Sequence, residues 1–382
     1  MMKYDLIIVG AGVMGTFHAF HAAKKGKKVL LLEKNARPVG STIQNFGQVV
    51  PSGLDPFWQK YGRRSLEIYN ELQNTEDLTL VKNGSVYIAS DEDELLLIKE
   101  LQQINDNLVY KSELLDANQT ALKFPDINKE YIRGSIFFAD EFSVDSSKFI
   151  YKVLSFCQKY YEVDYRPNST VTDIKETQGE VYIKTAAGKI FCGREVIVCG
   201  GYETSILYPE IFEDSGLEMV KLQMLKTIPL HHIDLKSNIL TGLTIRRYEA
   251  FESCPSFHQI TTPQKYQDLK AEGIHILFKQ LPDKSIIIGD SHHYAPVTDT
   301  ESLGLGVNER VNKLMKEEAR KIINVKDEEY AQSWAGYYVQ HPDGIFEFQV
   351  SEHVSIRTGI GGKGMTSCAG YTEEKINELF PD

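Results

Sequence analysis

The 382-residue sequence predicts an α/β fold that begins with a parallel sheet. Three observations carry that expectation. Leu6-Ile7-Ile8-Val9 is a continuous apolar run, the pattern of a strand buried on both faces. It leads directly into GAGVMG at residues 10–15, after which apolar and small residues recur at helical spacing from Val13 to Ala23. After Gly26 a second buried strand, Val29-Leu30-Leu31-Leu32, ends at Glu33. A strand, a helix and a strand in this order make a βαβ unit, and its two strands run parallel.

GAGVMG is a complete GxGxxG, and each glycine has its own task. Gly10 makes the tight turn, Gly12 allows close approach of a pyrophosphate, and Gly15 allows tight packing of helix on strand. The N-terminus of the helix offers free N–H groups and the positive end of its dipole to phosphates. Glu33 stands where a carboxylate accepts both ribose hydroxyls of an adenosine. Glycine-rich turns are common, but one set between strand and helix, with an acid at this distance, reads as a dinucleotide site. A 2′-phosphate beside Glu33 would meet like charge, which argues against NADP.

The remaining elements follow in order. Residues 34–42 hold a second Gly/Ser/Thr-rich loop, which suits a long cofactor running on beyond its pyrophosphate. Residues 56–73 and 91–105 read as helices, and Asp145 reads as a helix N-cap. Thr170 to Phe191 reads as a three-stranded meander with turns at Gln178-Gly179 and Ala187-Gly188, followed by a buried strand closing on Gly200 and Gly201. Ile286-Ile287-Ile288-Gly289 is another strand. Near the C-terminus Gly361-Gly362-Lys363-Gly364 opens a last helix, whose N-terminus is able to face a second group on the same ligand.

Composition narrows the class. Hydrophobic residues make up 42% and charged residues 25%, ordinary globular usage. A net charge of −11 argues against nucleic-acid binding. No apolar run approaches the roughly 18–20 residues of a membrane span, and the run at residues 6–9 is too short for a signal peptide. The five cysteines (157, 192, 199, 254 and 368) have no metal spacing, so no metal is expected. Free thiols in a reducing, cytoplasmic setting are the expectation. Oligomeric state is left open.

Taken together, the motifs resemble the D-amino-acid oxidase superfamily of FAD enzymes, which includes glycine and sarcosine oxidases. The matching elements are GAGVMG with Glu33, GSTIQNFG at 40–47, SVDSSKF at 143–149, VCGG at 198–201, Trp334-Ala335-Gly336 and GIGGKGMT at 359–366. The resemblance implies a Rossmann-like FAD domain of the glutathione-reductase type with a mainly antiparallel substrate domain. The FAD domain is expected at 1–85, 141–215 and 325–382, and the substrate domain at 86–140 and 216–324. By the same resemblance Glu33 and Lys34 hold the ribose, and the backbone of Val171 meets adenine. Ser41, Thr42, Asn45 and Gly47 lie along the pyrophosphate and flavin, with Gly200 and Gly336 among the cofactor contacts. Gly362, Lys363, Gly364, Met365 and Thr366 face the flavin ring. No cysteine lies near residues 334–348, where relatives often attach FAD, so the flavin is expected to be non-covalent.

Family amine oxidases move a hydride from the carbon bearing nitrogen to the flavin, from about 3–3.5 Å. Related enzymes carry W-x-G-x-R-P, whose arginine clamps the substrate carboxylate; here Tyr338 stands in its place. A hydroxyl does not replace a bidentate guanidinium. Arg246 and Arg247 on an expected strand, His292 and His293 after residues 286–289, and Lys363 are the other cations available. Dispersed donors suit a tetrahedral phosphonate at least as well as a flat carboxylate. The 40–47 loop and the GGKGMT cluster are similar to a branch associated with aminophosphonate breakdown, although Gln44 stands where that branch has arginine. Of the aromatics Phe46, Trp58, Tyr248, Tyr294, Tyr337 and Tyr338, two or three are expected to line the substrate cavity, Phe46 and Tyr338 first.

The leading expectation is therefore an FAD-dependent amine oxidase or dehydrogenase acting on a small anionic amine, with oxygen or another acceptor. A second is a 2-hydroxy acid or polyol-phosphate dehydrogenase with His292 or His293 as base. A third is a flavin-binding protein without turnover.

Overall fold

Strand Lys3–Val9 has a parallel neighbour on each side, Val29–Leu32 and Ile190–Val198, which accounts for its apolar run. The computed structural model describes residues 3–381. In the first sheet the order is Phe346–Ser351, Val354–Thr358, Ile190–Val198, Lys3–Val9, Val29–Leu32 and Asp164–Arg166. Only the outermost Phe346–Ser351 runs antiparallel along this path. Helix Val13–Lys24 is buried almost all round, because it lies between this sheet and the helices Gly364–Leu379 and Ser146–Tyr161. Phe17, Phe20, Tyr69 and Phe149 fill the core beneath it.

The meander has an economy that the amino-acid pattern did not show. Val171–Thr177 and Glu180–Thr185 are its first two strands, and its third is the start of Ile190–Val198 itself. One nine-residue strand therefore serves the antiparallel flap with one end and the parallel sheet with the other. Gly193, where the two pairings overlap, leaves no room for a side chain against Ile7.

The second sheet has nine strands among the described residues. His293–Pro296, Glu218–Thr227, Ile286–Gly289, Leu277–Gln280, Asn238–Leu240, Ser85–Ala89, Gly134–Phe138 and Glu113–Asp116 follow in that order. Tyr330–Gln340 also pairs with Glu218–Thr227, along nearly its whole length. All pairs are antiparallel except Ser85–Ala89 with Asn238–Leu240. A division at residue 325 groups Tyr330–Gln340 with the FAD segments, whereas its ladder belongs to this second sheet. The pairing joins positions about a hundred residues apart, and nothing local announces it.

A second correction concerns Arg246 and Arg247. They follow the short helix Gly242–Ile245 and do not lie on a strand. Thr241 starts that turn in extended conformation, with its hydroxyl bonded to the Ile276 carbonyl at 2.8 Å. The helices at Pro56–Thr75 and Glu92–Asn107 form where the periodicity puts them, and Asp145 caps Ser146–Tyr161 by accepting from Ser147 N at 3.1 Å.

Candidate active site

One cavity of about 680 Å³ runs from the Gly10 turn, between the two sheets, to Tyr338 and His292. At its first end the walls are backbone. Gly10 has φ +103°, and a Cβ there would sit 2.3 Å from the Cys199 carbonyl oxygen, so only glycine makes this turn. A Cβ at Gly15 would lie 1.9 Å from the Gly10 carbonyl oxygen, which places Gly15 under the turn and outside the cavity lining. Helix Val13–Lys24 starts at Gly12 with no capping bond from the Gly12 side, and Val13 N–H donates to Thr42 Oγ1 at 3.0 Å. Glu33 accepts from Ala11 N at 3.1 Å and from Asn35 N at 2.9 Å, which aims the carboxylate along the groove. Lys34 is ion-paired with Glu203, and both line the cavity with Val171 and Gly200.

The middle is a loop braced against a glycine cluster. Ser41 Oγ donates to the Tyr337 carbonyl at 2.6 Å. Asn45 ties the loop internally: its Nδ2 donates to Thr42 O at 2.5 Å and its Oδ1 accepts from Gly47 N at 2.8 Å. Strand Tyr330–Gln340 comes so close that a Cβ on Gly336 would lie 3.1 Å from the Gln44 carbonyl oxygen. Opposite, Gly361–Lys363 and the start of helix Gly364–Leu379 bring Gly362, Lys363, Gly364, Met365 and Thr366 to the lining, again without a side-chain cap.

The far end is made of side chains. Phe46, Arg247, Tyr248, Tyr294 and Tyr338 line it with His275, Asp290 and His292, while Trp58 lies outside the lining. Arg247 donates to Tyr294 Oη at 2.5 Å. His275 and His292 stack with ring centroids 5.3 Å apart. Burial pushes the His292 imidazole down to about 3 and lowers His275 as well, so both rings are neutral at pH 7. Burial, reinforced by the nearby Asp290, keeps the Tyr338 hydroxyl protonated far above the usual tyrosine range. Lys363 reaches Glu249 Oε1 at 2.8 Å.

Two expected site residues fall elsewhere. Arg246 is turned away from the cavity and bound by Asp91 and Glu94, each at 2.7 Å; its side chain is 6% exposed, so it is a structural ion-pair centre with no free face for a substrate. His293, the first residue of strand His293–Pro296, points outward to Glu272 at 2.9 Å, whereas His292 just before the strand faces the cavity. Arg247, one residue on, takes the place given to Arg246. His275 and Asp290 were not among the expected site residues. Their signal was a polar residue inside Ile274-His275-Ile276 and an acid directly after the apolar strand Ile286–Gly289.

The residues present fit FAD. The glycine turn leaves a cradle that side chains would fill, two helix N-termini whose N-cap residues give no side-chain cap line the cavity, and Gln44, on the lining, has a buried Oε1 with no partner. Glu33 and Tyr338 line the same cavity.

Comparison with known proteins agrees. A family model described as FAD dependent oxidoreductase (DAO) matches residues 5–373. An opine oxidase subunit of Agrobacterium tumefaciens (strain Ach5) is 25% identical over 240 residues, covering 59% of this chain. The chain spans 64% of that relative's length, under two thirds. Among solved structures, glycine oxidase from Geobacillus kaustophilus superposes with TM-score 0.76 at 16% identity, covering 99% of this chain and 95% of the other. L-alpha-glycerophosphate oxidase from Mycoplasma pneumoniae with FAD bound gives TM-score 0.80 at 17% identity, covering 99% and 95%. These two likenesses concern the fold. No helix among the described residues is long and apolar enough to cross a membrane. With its glycine turn, ribose acid and cavity in place, the chain belongs to the DAO family of FAD-dependent oxidoreductases.

Proposed function

We propose that the protein oxidises a small anionic amine, with an aminophosphonate as the substrate class. The observation that carries this reading is Arg247, a cation on the same cavity as the flavin loop, held by Tyr294 and flanked by Tyr248, Tyr338 and His292. FAD bound in the cleft supplies the two-electron acceptor for a hydride leaving the carbon that bears nitrogen. The chain's own residues orient the substrate. Arg247 takes the acid group, and Tyr338, which keeps its proton, donates a hydrogen bond to it. Phe46 and Tyr248 exclude water from the space between. Rounded donors spread over Arg247, Tyr294 and Tyr338 match three phosphonate oxygens better than two coplanar carboxylate ones. The five unpaired, buried cysteines support a reducing cytoplasm as the setting. The final electron acceptor is oxygen or another acceptor.

The test is anaerobic loss of the flavin's visible absorbance with glycine, sarcosine, D-alanine, 2-aminoethylphosphonate, its N-methyl derivative, lactate and glycerol 3-phosphate. Fast bleaching by an aminophosphonate supports the proposal. Bleaching by glycine, sarcosine or D-alanine alone moves the substrate to amino acids. Bleaching by glycerol 3-phosphate or lactate alone makes His292 the base of an alcohol oxidation, and no bleaching at all leaves a flavin-binding protein without this turnover.

A further inference from the structure

We propose that His275, Asp290 and His292 form a site for one divalent cation of the zinc kind at the substrate end of the cavity. His275 Nε2 lies 2.9 Å from Asp290 Oδ1 and His292 Nδ1 lies 3.7 Å from it. One donor atom from each of the three residues falls within 4.8 Å of the others. The residues are 2%, 7% and 9% exposed, so they are not a solvated surface cluster.

Asp290 Oδ1 is buried and accepts no hydrogen bond, despite the short approach of His275. The close approach is thus a poorly aligned ion-pair contact that leaves the carboxylate oxygen without a full hydrogen-bond partner. A buried carboxylate left in that state is costly unless a cation completes it. Two cations compete for the place, and spacing separates them. A substrate ammonium bonded at about 2.8 Å to three acceptors holds them roughly 4.6 Å apart. A zinc ion with ligands at about 2.0–2.2 Å holds them roughly 3.3–3.6 Å apart in tetrahedral array. The observed 2.9 and 3.7 Å straddle the metal value.

The supporting contacts are of the kind metal-binding imidazoles need. His275 Nδ1 meets Thr244 Oγ1 at 3.1 Å, which frees Nε2 for the ion, and its backbone N–H donates to the Asp290 carbonyl at 3.0 Å. Coordination through His292 Nδ1 gives up only its long 3.3 Å contact to the Gly273 carbonyl. One carboxylate does not neutralise a divalent ion, and Arg247 adds further positive charge on the same cavity. The site is complete only when an anion occupies the fourth position. That last step rests on the proposed anionic substrate: metal and Arg247 together hold the acid group that Tyr338 cannot clamp.

The test uses tag-free, FAD-loaded full chain, stripped with a chelator and titrated with Zn²⁺ by calorimetry. Wild type and His293→Gln are expected to bind one equivalent, with affinity about tenfold higher in the presence of methylphosphonate. Asp290→Asn and His275→Gln are expected to bind about 100-fold more weakly or not at all, with flavin content and near-UV circular dichroism unchanged. No uptake by wild type, or equal uptake by Asp290→Asn, overturns the site. Anaerobic bleaching on the same samples separates the two readings. Zinc binding with no bleaching by any amine keeps the site and sinks the proposed reaction. Amine bleaching with no zinc binding keeps the reaction and gives Asp290 to the substrate nitrogen.

Discussion

At the Gly10 end the cavity lining is largely backbone with the carboxylates of Glu33 and Glu203, from residues 9–47 with short additions from 169–171 and 198–203; at the Tyr338 end it is side chains, Phe46 and residues from segments between 247 and 363. The first end works by leaving space, since helix dipoles and bare N–H groups need glycines to let phosphate approach. The second works by filling space with charged and aromatic groups whose neighbours decide their ionisation. Changes at one end should therefore abolish binding of the cofactor, whereas changes at the other should tune substrate and pH.

The largest effect is expected from Gly15→Val. Its first new carbon alone would meet the Gly10 carbonyl at 1.9 Å, so the turn cannot close. Flavin content of the purified protein should fall to near zero, read from the visible-to-ultraviolet absorbance ratio. Retention of full FAD would break the comparison at its first end.

Arg246→Met comes next and tests the reassignment of this arginine. It leaves Glu94 buried and unpaired, which should destabilise the fold by about 3–5 kcal/mol in denaturant titrations. Arg247→Met, one residue away, should do the opposite: flavin content and stability stay close to wild type, and KM for the anionic amine rises about 100-fold, roughly 3 kcal/mol. Equal kinetic effects from both variants would show that the two arginines are not divided as the cavity divides them.

Glu141, buried outside the cavity lining, gives a pH test of the same rule that neighbours decide ionisation. Burial pushes its carboxyl up to about 7, against the hydrogen bonds from Ser52 N and Tyr110 Oη, each 2.8 Å. A pKa higher in the folded than in the unfolded chain stabilises at low pH, and this stability is lost as pH rises from about 4.5 through 7. Glu141→Gln should therefore gain on wild type between pH 5 and pH 8, by on the order of 2–3 kcal/mol. Melting curves of both proteins across that window check the sign; a gap that shrinks with rising pH is the contrary result. The smallest effect belongs to Tyr338→Phe, which should lower kcat/KM about tenfold through one lost hydrogen bond. A larger fall would make Tyr338 more than a donor to the acid group.

Legibility followed the same division. The places of Gly10, Gly12, Glu33, residues 41–47 and the Gly362 cluster on the cavity were readable because each follows from a local pattern: a turn, a helix start, an acid after a strand. Of the expected pair His292 and His293 only the first reaches the cavity, and Arg247 reaches it where Arg246 was expected, since a step of one residue reverses the facing of neighbours. His275 and Asp290 stood out only as polar interruptions of apolar runs, and no spacing between 275 and 290 announces that two strands bring them to 2.9 Å.

The amino-acid sequence by itself determined the βαβ opening, the dinucleotide turn and the order of cofactor-facing loops, because glycine placement and apolar periodicity act over a few residues. Only the tertiary structure decided that Tyr330–Gln340 joins the second sheet, that Arg247 and not Arg246 enters the cavity, and that two histidines close on Asp290. Those outcomes depend on register and burial summed over the whole fold, and a one-residue change of facing exchanges a solvent group for a buried one.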